Sequence, residues 1–172
     1  ADITRLYQRP LGEFTAARNA LAKAAGAKGE AIRALEKPSV PAWAVNQLYW
    51  RERRLYDQLI RALERVRAAH AQVLGGKRLD LATLEARHGA AVKAAADAVR
   101  TLLLRSGDAA TPSTMQAVVD TLQALPGGGA PGQLTRALAP ISFGAFGALL
   151  KGAATSTAMA EVVTFVAPKP RQ

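Results

Sequence analysis

The chain has 172 residues, 49% of them hydrophobic and only 5% aromatic, with no cysteine and a net charge of +10. That length suits one domain with enough apolar material for a real core. The missing thiols exclude disulfides, cysteine-ligated zinc, iron–sulfur clusters and a thiol nucleophile.

Thirty-eight alanines, which lose no side-chain entropy in a helix, point to an all-α fold of closely approaching helices. Residues 1–105 carry 19 Lys or Arg against 10 Asp or Glu, whereas 106–172 carry 4 against 3. A potential so concentrated attracts polyanions such as nucleic acid or an anionic membrane surface. An arginine bias from a GC-rich genome is the plainer source of the same charge. No apolar run reaches the roughly 20 residues of a spanning helix, so no integral membrane association is expected. No basic-then-apolar leader opens the chain, and a cytoplasmic location is expected.

Phe14, Ala17, Leu21 and Ala24 recur at steps of three and four and predict a helix from about Glu13 to Ala27. Gly26 and Gly29 weaken it, Glu30–Glu36 resumes the pattern, and Pro38 ends it. Ser39 is placed to cap the next helix, with Pro41 in its first turn. Helical character then runs to Leu74, closed by Gly75 and Gly76. As one rod this stretch would span about 51 Å, longer than the ~40 Å diameter of a compact domain of this size. Apolar residues surround the axis from Trp43 to Trp50 but keep to one side from Leu55 onward, so a bend is predicted at Trp50–Arg53.

Asp80 caps a further helix, Leu81–Leu104, whose inner face is Leu81, Leu84, His88, Ala91, Ala95, Val99 and Leu102. With the preceding helix it makes a long antiparallel hairpin. Thr111-Pro112-Ser113 opens a shorter helix to Leu125. The expected organisation is a basic bundle domain over 1–125, a Gly/Pro-rich loop over 126–132, and an irregular apolar segment over 133–172 that packs on the bundle or on a partner. Within that segment Val162–Val166 is the one β-like run.

The stretches Phe14–Lys23 and Lys37-Pro38-Ser39-Val40-Pro41-Ala42-Trp43-Ala44-Val45-Asn46-Gln47-Leu48, followed by Leu134-Thr135-Arg136 and Phe143-Gly144, resemble a helical protein family of high-GC soil bacteria. The resemblance covers about residues 12–150. It implies a recurring helical domain and brings no activity, cofactor or site residues with it.

Arg51, Arg54, Gln58, Arg61 and Arg65 follow one another at steps of three and four and are expected on one helix face, where guanidinium groups can meet successive phosphates. Asp57, Glu64 and Glu52 lie near enough to neutralise part of the row; the plainer reading is a solvated face with internal i,i+4 pairs, such as Asp57 with Arg61. Elsewhere Glu30 with Arg33 and Lys93 with Asp97 have the same spacing. Trp43, Tyr49, Trp50 and Tyr56 beside Arg51, Arg53 and Arg54 either stack on unpaired bases or pack as core with cation–π contacts. Asn46 and Gln47, set in an apolar segment, are expected to grip a nearby backbone or, less simply, a ligand.

His70 and His88 stand on opposite arms of the hairpin, with no suitably spaced carboxylate to complete a metal site. No acid–base pair, nucleophile elbow or phosphate loop is present, so no catalytic residues, metal or cofactor are expected. The predicted function is non-enzymatic binding of DNA or RNA through the arginine row, without sequence readout. The alternative is association with another protein or a second copy through Phe143, Phe146, Leu149 and Leu150.

Overall fold

Seven α-helices carry most of the described residues, 2–127 and 129–139, of the computed structural model, and the regular structure there is entirely helical. The fold is an all-α helical bundle. Val162–Val166 and the apolar residues Phe143, Phe146, Leu149 and Leu150 lie outside the described residues.

An α1 helix, Asp2–Leu6, which the periodicity did not announce, leads to a 3₁₀ turn at Leu11–Glu13 and then to α2, Phe14–Ala24. Leu6, Tyr7 and Phe14 form a small apolar cluster of their own, the two rings meeting edge to face with centroids 5.4 Å apart. After a second 3₁₀ turn, α3 is short, Gly29–Arg33. Gly29 does more than weaken a helix: a Cβ there would collide with the Ala22 carbonyl, so only glycine lets α3 fold back this tightly against α2.

The central element is α4, Val40–Arg51, enclosed on nearly every side from Ala42 to Leu48. Ser39 holds the N-cap position, yet its side chain makes no capping bond; its amide instead donates to Thr135 O at 2.9 Å. The helix stops at Glu52, whose φ of −122° and ψ of 47° leave the helical region, and α5 begins at once as Arg53–Leu74. The break falls inside the predicted window. Physically it turns a helix that is apolar all round into one with a single apolar stripe: Leu59, Leu63 and Val66.

Helix α6, Leu81–Ser106, starts on Asp80, whose carboxylate accepts from Thr83 N at 3.0 Å, and ends on left-handed Gly107. It packs along α5 as the predicted hairpin. Its buried face includes Ala95, Val99 and Leu102, while Leu81, Leu84, His88 and Ala91 near the turn are half-buried. Helix α7, Pro112–Ala124, is capped by Thr111, which accepts from Thr114 N at 3.1 Å. Leu48, Leu59, Val99, Leu103, Val118 and Leu122 are fully buried in one cluster shared by α4 to α7. Each leucine so enclosed contributes about 1.5–3 kcal/mol of hydrophobic stabilisation.

Residues 126–132 do not mark a boundary: Ala1–Pro140 is one compact unit. After this loop the chain returns to α4. Leu134 is buried in the main cluster, Leu138 N donates to Thr121 Oγ1 at 3.0 Å, and Arg136 pairs with Glu36 at 2.8 Å.

Candidate nucleic-acid interface

Arg54, Gln58, Arg61 and Arg65 are all exposed on α5. At about 100° per residue they occupy the side opposite Leu59, Leu63 and Val66, so the burial of those three fixes the arginines outward. From Arg54 to Arg65 the row covers about 16 Å of helix. Among the described residues, no carboxylate lies within 4.0 Å of Arg54, Arg61 or Arg65.

Arg51 does not continue this row. It belongs to the last turn of α4, and the non-helical backbone at Glu52 interrupts the angular register that would align it with Arg54. Its Nε donates to Gln47 Oε1 at 3.0 Å. The five-residue stripe is therefore four residues on α5, with Arg51 assigned to other surroundings.

The expected charge pairing also changes. Asp57 accepts from Arg53 at 2.8 Å instead of pairing with Arg61, and Arg53 lies over the Tyr49 ring, 4.5 Å from its centroid. This removes one carboxylate from competition for the row, leaving exposed Glu64 on its flank. Lys93 and Asp97 pair as expected, at 3.0 Å. Glu30 and Arg33 form no ion pair.

Between base stacking and core packing, the aromatic group takes the second arrangement. Trp43 is 2% exposed, and its indole N–H donates to Arg9 O at 2.8 Å. Tyr49 meets both Trp50 and Tyr56 edge to face, at 4.7 and 4.9 Å between centroids. Trp50 donates to Gly132 O at 3.0 Å. Burial of Tyr56 pushes its phenol upward, with Tyr49 adding to the shift, so the hydroxyl stays neutral.

Asn46 and Gln47 are backbone clamps facing two different segments. Asn46 exchanges two hydrogen bonds with Leu134, and Gln47 Nε2 donates to Tyr7 O at 2.9 Å. With Trp43 and Trp50, α4 thus holds the N-terminal segment through one side-chain pair and the returning loop through the other. The amides' burial was legible in the apolar pattern around them; their partners, far away in sequence, were not.

His70 does find a carboxylate, Glu85 Oε1 at 3.1 Å across the hairpin, which spacing along either arm could not reveal. His88 Nε2 is buried without a hydrogen-bond partner, and burial followed by nearby Arg67 lowers its pKa below the ordinary 6.5. Among the described residues no three His, Cys, Asp or Glu side chains gather as a metal site. Nor is any described helix long and apolar enough to cross a membrane. Sequence reasoning missed Arg67, whose Nη2 donates to Leu125 O at 3.1 Å and ties α5 to the end of α7.

Comparison with known proteins yields no match among family models, curated proteins or solved structures.

Proposed function

We propose that the protein is a cytoplasmic, non-enzymatic binder of nucleic acid, DNA foremost, that engages phosphates along the outer face of α5 without reading sequence. The observation that carries this reading is the set Arg54, Arg61 and Arg65, exposed and with no carboxylate within 4.0 Å among the described residues. Guanidinium groups left open in this way bind phosphate oxygens bidentately, with Gln58 between them as a further donor. The +9 balance over residues 1–105 supplies the longer-range attraction. The mutual packing of Tyr49, Trp50 and Tyr56 favours a backbone-tracking duplex binder over a base-stacking single-strand binder.

The test is a salt titration of binding to random-sequence duplex DNA and to RNA. Three neutralised phosphates give a slope of about −2.7 in log K against log salt. Replacing Arg54, Arg61 and Arg65 together with glutamine removes that part of the slope. Absence of binding to either nucleic acid at about 50 mM salt, where such contacts are strong, overturns the proposal.

A further inference from the structure

Trp43, Gln47 and Arg51 follow one another at steps of four along α4, and beside them lies a cavity of about 310 Å3 that the nucleic-acid reading does not use. Pro10, Trp43 and Leu102 give it apolar walls, and Arg51 and Arg105 bring two positive charges to its lining. Its volume is at the small end of the range for small-molecule sites.

The cavity's polar side is built from the inside outward. Gln47 is 1% exposed and held by its bond to Tyr7 O, so its Oε1 is a fixed acceptor for Arg51 Nε. That bond orients the guanidinium while leaving its two terminal nitrogens without a partner among the described residues. Arg105 likewise forms no ion pair among the described residues. The nearby carboxylate of Asp108 instead accepts from the Ser106 hydroxyl at 2.7 Å. Two guanidiniums that line one partly enclosed space, with no carboxylate paired to either among the described residues, favour an anion there. A larger cavity of about 580 Å3, between α1 and α2, carries a smaller imbalance: Arg5 and Arg9 line it, and Glu13 pairs with Arg9 at 3.3 Å.

The geometry points to a second binding site, in which this cavity takes a small organic anion. A carboxylate or phosphate monoester head is held by Arg51 and Arg105, and an apolar body rests against Trp43, Pro10 and Leu102. The competing account is that each arginine, standing in the last turn of its helix, only complements the negative end of that helix. That role needs no ligand.

Calorimetric titration of the full chain with phenyl phosphate, benzoate and inorganic phosphate separates the two. At least one of the organic anions binds one to one with Kd below about 1 mM, and the tighter of the two names the head group. Inorganic phosphate binds at least about tenfold more weakly, because it leaves the apolar walls uncovered. R51Q and R105Q each weaken the organic anion at least about tenfold. K93Q, which removes the same charge outside the cavity lining, leaves its affinity unchanged.

Exposed Arg105 keeps the test sound if R51Q, which deprives Gln47 of its donor, fails to fold by circular dichroism. No saturable heat from any of the three anions at about 10 mM, inorganic phosphate binding as tightly as the organic anions, or unchanged affinity in R105Q overturns the inference.

Discussion

Asn46 and Leu134, 88 residues apart, exchange two hydrogen bonds: Asn46 Nδ2 donates to Leu134 O at 2.8 Å, and Leu134 N donates to Asn46 Oδ1 at 2.8 Å. One side-chain amide thereby satisfies both main-chain groups of a buried residue in an irregular segment. No secondary structure is available there to do so.

Replacing Asn46 with alanine leaves both Leu134 groups unsatisfied in the core. At about 1–3 kcal/mol for each orphaned group, N46A loses about 3 kcal/mol. Urea unfolding checks this, and a loss under about 1 kcal/mol would show that water replaces the amide.

His88 makes stability depend on pH in one direction. Its folded pKa is depressed by burial and then by Arg67, so the unfolded chain binds the proton more readily. Stability is intact above the unfolded value of 6.5, falls as pH drops through that value toward the folded pKa, and levels off below it. His88→Leu removes this contribution. Its melting temperature relative to the parent rises between about pH 7 and pH 5; a pH-independent difference between the two chains would refute the assignment.

Two glycines give opposite responses to alanine. Gly89 lies inside α6 with nothing near its missing Cβ, so G89A stabilises the protein by about 0.8–1 kcal/mol. Gly132 has φ +75°, and a Cβ on it would collide with Tyr49 and Trp50. Strain and clash together make G132A destabilising by about 2 kcal/mol or more. Thermal melts of the two variants should move in opposite directions, and movement in the same direction would count against this account of the loop.

The helix break at Glu52 separates two kinds of arginine. R61Q and R65Q reduce the salt dependence of DNA binding by about one unit each, with stability changed by no more than about 0.5 kcal/mol. R51Q leaves that slope nearly unchanged, because Arg51 lines the cavity beside Trp43. Equal effects on the slope from all three variants would restore the single uninterrupted stripe.

Much of the candidate face could be read before folding. Arg54, Gln58, Arg61 and Arg65 share a helix face because α5 is a regular helix, and its leucines and Val66 dictate which side meets water. Arg51 could not be separated from them by spacing, since spacing assumes the angular register that Glu52 breaks. Asp57 had two arginines at four residues' distance, Arg53 and Arg61, and periodicity does not choose between them. Arg53, with Tyr49 beneath it, is the one that forms the pair.

The sequence by itself determined the local elements: the cap at Asp80, the start of α7 at Thr111-Pro112-Ser113, the hairpin turn at Gly75–Gly76, the change of apolar pattern near Trp50, and Ala95, Val99 and Leu102 on the inner face of α6. These rest on contacts within one or two helical turns, which the order of residues encodes directly. Only the tertiary structure decided that Asn46 holds Leu134, Gln47 holds Tyr7, His70 meets Glu85, and the loop at 126–132 returns the chain to α4. Each of these joins groups distant along the chain, and buried polar atoms find such partners only after packing has excluded water around them.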